Sequence, residues 1–123
     1  MIKQFAGASI WSEDLNNLLP FYRDVLGLKV AMESPRYVQL GDGDMETPAL
    51  GLGSHSEVHG PNTDPNRHMI SFVSDDVQAD WKRLKAAGVE FIEDPTDYGD
   101  GMQIATLKDP EGNLVQLFHM AAS

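Results

Sequence analysis

Cysteine is absent from the 123-residue chain. Disulfides, thiolate nucleophiles and Cys-type zinc sites are thereby excluded together. Positive charge is scarce: 9 Lys and Arg stand against 19 Asp and Glu, a formal net charge of −10. Such a surface repels the phosphates of nucleic acid and anionic lipid and draws cationic small molecules toward it. Long apolar runs are missing as well. The opening MIKQFAGASIW has no stretch suited to a signal peptide, and nothing later approaches a membrane span, so the expected compartment is cytoplasmic. No Ser-His-Asp order, phosphate-binding glycine loop or dinucleotide fingerprint occurs. What is present suffices for a core: 41% of residues are apolar, in a length that suits one domain or two small fused half-domains.

Two halves of the chain echo each other. In the first, Phe5–Trp11 reads as a strand, Ser12-Glu13-Asp14 as a cap, and Leu15, Leu18, Leu19, Tyr22, Val25 and Leu26 recur at helical spacing before Gly27. In the second, His68–Val73 is followed by Ser74-Asp75-Asp76, then Val77, Trp81 and Leu84 before Gly88. Glycine suits the position just past a helix, where a left-handed backbone costs least without a side chain. Pro20 falls inside the first pattern and predicts an irregular lead-in, with regular helix starting only near it. Strands are predicted at 28–33, 37–40 and 48–53, then at 89–93, 102–108 and 114–119. Asp94-Pro95 and Asp109-Pro110-Glu111-Gly112-Asn113 read as the turns between the later three. The result is βαβββ twice: module one at 1–54, a turn-rich linker at 55–66 and module two at 67–123.

That duplication, with FYRDVLGL at 21–28, LKAAGVEF at 84–91 and LKDPEGNLVQLF at 107–118, resembles the vicinal oxygen chelate superfamily. Glyoxalase I, bleomycin-resistance proteins, fosfomycin-resistance enzymes and extradiol dioxygenases belong to it. The resemblance implies an α+β fold in which two tandem βαβββ modules form a curved mixed sheet around a cleft. It also implies a homodimer, since small relatives often complete each cleft with a second chain. Metal-using members take four ligands from the first and last strands of the modules. Carried over by position, those places hold Gly7, His68, Gln116 and a residue near Gly51 or Gly53. An imidazole and a neutral amide make a poor set for a divalent ion, which usually takes three or four protein donors. Glu46, His55 and His59 lie near the fourth strand and are the remaining donors in reach. No cofactor is therefore expected, a divalent metal held by His68 and Gln116 being the alternative.

Strand alternation carries the other candidates. If Gly7 faces the cleft, Ser9 and Trp11 do too, and the matching set in module two is His68, Ile70 and Phe72. The last strand offers Leu114, Gln116 and Phe118, while Tyr37 and Met102 reach the cleft edge. The ligand-binding set is thus Ser9, Trp11, Tyr37, His68, Met102, Gln116 and Phe118. Ile70 and Phe72 also fit a packed core, and Trp11 fits either place. Two functions are open. One is sequestration of an aromatic or cationic small molecule in an apolar cleft. The other is a metal-dependent lyase, isomerase or dioxygenase in which His68 ligates the metal or serves as catalytic base.

Overall fold

Period-two alternation in each half builds a four-stranded sheet with one face buried and the other open to a site. The computed structural model describes residues 1, 3–44, 47–99 and 101–120. It divides into two compact units, Met1–Gly60 and Pro61–Ser123, so the stretch expected to be a linker is shared between them. The expected α+β fold of two tandem modules is present as two mixed sheets, one per unit.

The first unit contains β1 (Gly7–Ser12), β2 (Val30–Ser34), β3 (Tyr37–Leu40) and β4 (Ala49–Ser54), in the order β1-β4-β3-β2. β1 and β4 run parallel, and the other neighbours are antiparallel. Val38, Leu40, Leu50 and Leu52 are buried, together with Leu15, Leu18, Leu19, Phe21 and Tyr22 of the helical connection. That connection is not a regular helix. It opens as a 3-10 turn, Leu15–Asn17, with the Asp14 side chain accepting the Asn16 N–H, and continues as a π-helical turn, Phe21–Val25. Pro20 is the physical reason, because it offers no N–H to an i−4 ladder. Beyond it, the Leu26 N–H reaches back five residues to the Phe21 carbonyl at 2.9 Å. Gly27, at φ 81°, then stops the turn where the sequence predicts.

The second unit contains β5 (Met69–Val73), α1 (Val77–Ala86), β6 (Phe91–Asp97), β7 (Met102–Lys108) and β8 (Leu114–Met120), with sheet order β5-β8-β7-β6. Asp76 caps α1 by accepting the Ala79 N–H, and the Ser74 hydroxyl donates to Asp80 at 2.6 Å. At the other end, the Val89 N–H bonds the Leu84 carbonyl across Gly88, the closing bond of a Schellman stop. Val77 and Leu84 of α1 are buried, as are Ala105, Leu107, Val115 and Leu117 of the sheet. Trp81 donates its indole N–H to Asp94 at 3.1 Å, which ties the helix to β6. The DPEGN turn is held by Asp109, whose carboxylate accepts from the backbone of Glu111 and Asn113 and from the Asn113 amide.

One expectation is corrected. Asp94-Pro95 lies inside β6 and not between strands. β6 is the edge of its sheet, and the ladder slips between Glu93 and Thr96, so Pro95 sits where an N–H is not required.

Candidate functional site

In the first unit, the face opposite the buried one is an aromatic shelf. Register places Ser9, Gly51 and Gln39 in one row and Trp11, Gly53 and Tyr37 in the next. β4 contributes no side chain to either row, and the rings fill the space. A β-carbon on Gly51 would stand 2.0 Å from the Tyr37 hydroxyl oxygen, and one on Gly53 would stand 2.3 Å from the Trp11 ring. Tyr37 therefore lies lengthwise along β4, from Gly53 to Gly51. Its centroid is 5.8 Å from that of Trp11, at 34° between planes, and His55 meets Trp11 edge-on at 5.7 Å. The His55 Nδ1 accepts the Glu57 N–H at 3.1 Å, and its backbone N–H bonds Ser12, so the imidazole is held by the strand end. Trp11 stays 45% exposed, and the Ser9 and Tyr37 hydroxyls lie 3.3 Å apart.

The corresponding face of the second unit is polar at its centre and apolar toward one end. Ser71, Gln116, Thr106 and Glu93 form a row across all four strands, next to a row of Val73, Phe118 and Ile104. Ser71 donates to the Gln116 carbonyl at 3.1 Å and Thr106 donates to Glu93 at 3.2 Å. Tyr98 also donates to Glu93. That hydrogen bond, followed by partial desolvation and the carboxylate charge, holds the Tyr98 phenol above the usual tyrosine range. The bond contributes stability only while the phenol keeps its proton, and the contribution is lost as pH rises through the raised value. Tyrosinate absorbance across an alkaline titration should therefore contain a late component that Tyr98→Phe removes and that Glu93→Gln shifts to lower pH.

Several predicted site residues land together and others do not. Ser9, Trp11 and Tyr37 share the shelf. Met102, Gln116 and Phe118 share the open face of the second unit, with Met102 opposite Met120. Ile70 and Phe72 pair with Val115 and Leu117 on the helix-covered face, so they do not join Gln116. His68 requires a correction of one residue. The Ser12 hydroxyl accepts the Asp14 N–H and the Ser74 hydroxyl accepts the Asp76 N–H, which makes these strand ends equivalent. Counting back from them sets Gly7 against Met69, while His68 is exposed and precedes the ladder. The same ladders resolve the β4 position: Gly51 faces Ser9 as Gln116 faces Ser71.

A divalent metal does not fit this donor set. The positions to which the family resemblance assigns ligands hold Gly7 and Gly51 in the first unit and Met69 and Gln116 in the second, which together offer a thioether and an amide. Among the described residues, no three His, Asp or Glu groups lie close enough to share an ion. His59 lies beside Glu13 at 3.9 Å and His55 beside Trp11, and Glu46 falls outside the described residues. Sequence reasoning missed two features. The stacking of His55 has no local signal, but the Gly51/Gly53 alternation is a visible clue that something bulky crosses β4. The Glu93–Tyr98 pair depends on the β6 bulge, which re-aims side chains in a way that spacing alone does not reveal.

Two four-stranded mixed sheets, each with a parallel outer pair and a helical connection, define a duplicated βαβββ protein. The chain belongs to the Glyoxalase/Bleomycin resistance protein/Dioxygenase superfamily, whose model matches residues 2–117. It is 30% identical over 129 residues to "Putative glyoxylase CFP32" of Mycobacterium bovis, covering 94% of this chain and 45% of that protein. The chain thus spans about half the length of that relative. Protein YwbC of Bacillus subtilis is 24% identical over 127 residues, with 96% of this chain and 98% of YwbC covered. Among solved structures, a glyoxalase/bleomycin resistance protein/dioxygenase from Nocardioides superposes with a TM-score of 0.75 at 16% identity, covering 100% of this chain and 87% of that one. Virulence protein STM3117 of Salmonella typhimurium gives 0.73 at 18%, covering 98% and 99%. At these identities the structures speak for the fold. No helix among the described residues is long and apolar enough to cross a membrane.

Proposed function

We propose that this protein is a small-molecule-binding member of its superfamily and that the Trp11–Tyr37 shelf holds a flat aromatic cation. The observation that carries this reading is the pair of rings lying on Gly51 and Gly53 with Trp11 still 45% exposed. An indole face attracts a cation stacked on it by about 0.5–2 kcal/mol, according to how much water is excluded. The net charge of −10 raises the local concentration of such a molecule. Phosphate-bearing partners, nucleic acid and anionic membrane alike, are disfavoured by the same charge. The protein acts in the cytoplasm as a homodimer, which light scattering at micromolar concentration tests directly.

N-methylquinolinium is a suitable probe. Its titration should quench tryptophan emission along a saturable curve that survives Trp81→Phe and disappears in Trp11→Phe. A curve that follows Trp81, or a linear collisional response from both residues, removes the shelf as the binding site. A second reading, a metal-dependent lyase, isomerase or dioxygenase, is supported by the superfamily and by the name of the Mycobacterium bovis relative. Stoichiometric metal in tag-free protein would favour it over sequestration.

A further inference from the structure

The shelf has a polar end as well as an aromatic one, and the two are fixed relative to each other by a single strand. We infer that Ser9 and Tyr37 select, among aromatic cations, those that carry an oxygen acceptor such as a carbonyl at the ring edge. This rests on the proposed role of the shelf and extends it to ligand chemistry. The hydroxyls of Ser9 and Tyr37 lie 3.3 Å apart, and either can be the donor. One shared hydrogen bond uses one of the two hydroxyl protons, so the pair retains one O–H for a ligand acceptor. Both groups sit over Gly51, whereas the Trp11 ring sits over Gly53. Two residues of extended strand separate these points by about 7 Å. A bicyclic ring stacked on Trp11 therefore brings a substituent on its far edge to the hydroxyl pair.

Gly51 makes this geometry available. Any β-carbon there would stand 2.8 Å from the Ser9 hydroxyl oxygen and 2.0 Å from that of Tyr37, displacing one or both. The equivalent position of the second unit shows the contrast. Gln116 fills it with a long side chain, and Ser71, the counterpart of Ser9, spends its proton on that amide at 3.1 Å. The Ser9–Tyr37 pair thus keeps a hydroxyl proton uncommitted beside the exposed Trp11 ring, whereas Ser71 does not.

The test uses 6-carbamoyl-N-methylquinolinium and its 6-isopropyl analogue, which are similar in size and differ in hydrogen bonding. A net hydrogen bond of about 1 kcal/mol corresponds to roughly fivefold in affinity. In Ser9→Ala/Tyr37→Phe, the carbamoyl-over-isopropyl selectivity should fall by about that factor relative to wild type. An unchanged urea midpoint shows that the variant is folded. An unchanged selectivity overturns the inference and leaves the shelf standing. Failure of both compounds to bind the wild-type protein overturns the inference and the shelf together.

Discussion

Gly7→Ala is expected to destabilise the first unit by about 3 kcal/mol, the sum of backbone strain and an overpacked contact. Gly7 sits at φ 152°, and a β-carbon there would stand 2.1 Å from the Ala49 carbonyl oxygen and 2.9 Å from the Ala49 nitrogen. Both obstacles are backbone atoms of the parallel partner strand, so no rotamer change relieves them. Relief requires β1 to draw away from β4 at its first pair, Gly7↔Ala49. Urea unfolding should show a lower midpoint, and a thermal scan a drop on the order of 10 °C for a chain of this size. A loss under about 1 kcal/mol would mean that the start of β1 frays freely. The consequence reaches the question of metal binding. Position 7 is one of the places where metal-using relatives carry a ligand, and here even one carbon does not fit. Gly7→His should therefore unfold the strand end before it creates a donor. Stable, metal-loaded Gly7→His protein would refute that account.

The sequence carried most of the scaffold and part of the site, for identifiable reasons. β3 and β7 fall where alternation and flanking turns place them, Tyr37–Leu40 and Met102–Lys108. The caps and glycine stops were legible because a hydroxyl or carboxylate before an apolar run, and a glycine after it, act locally. The Pro20 irregularity was visible for the same reason, although its outcome as a π-helical turn depends on where the next free N–H finds a carbonyl. Pro95 misled because its local turn signal was outweighed by an edge strand that tolerates a missing N–H. The one-residue offset at His68 has the same origin: alternation groups residues by face, but only pairing with β8 shows that Ile70 and Phe72 take the helix-covered one. Ser9, Trp11 and Tyr37 could be grouped by alternation, whereas their closeness follows from the glycines of β4, a strand to which none of them belongs.

Gly53→Val should separate binding from stability more cleanly than any truncation on the shelf. Valine suits an extended strand, and the atoms it meets belong to side chains on an open face: Trp11 at 2.3 and 2.7 Å and Tyr37 at 3.1 Å. The indole must swing off β4, but it is already half-exposed, so the cost in folding should stay within about 1 kcal/mol. Affinity for N-methylquinolinium should fall about 30-fold, the equivalent of losing about 2 kcal/mol of ring–cation attraction. Tryptophan emission should shift to the red as Trp11 enters water. The decisive comparison is Gly53→Val with Trp11→Ala. If the glycine acts only by giving the indole its place, the double variant binds no more weakly than the worse single one, because both changes remove the same interaction. Additive losses would mean that the ligand touches the β4 backbone itself at Gly53, and the rings would then be the rim of the site and not its floor.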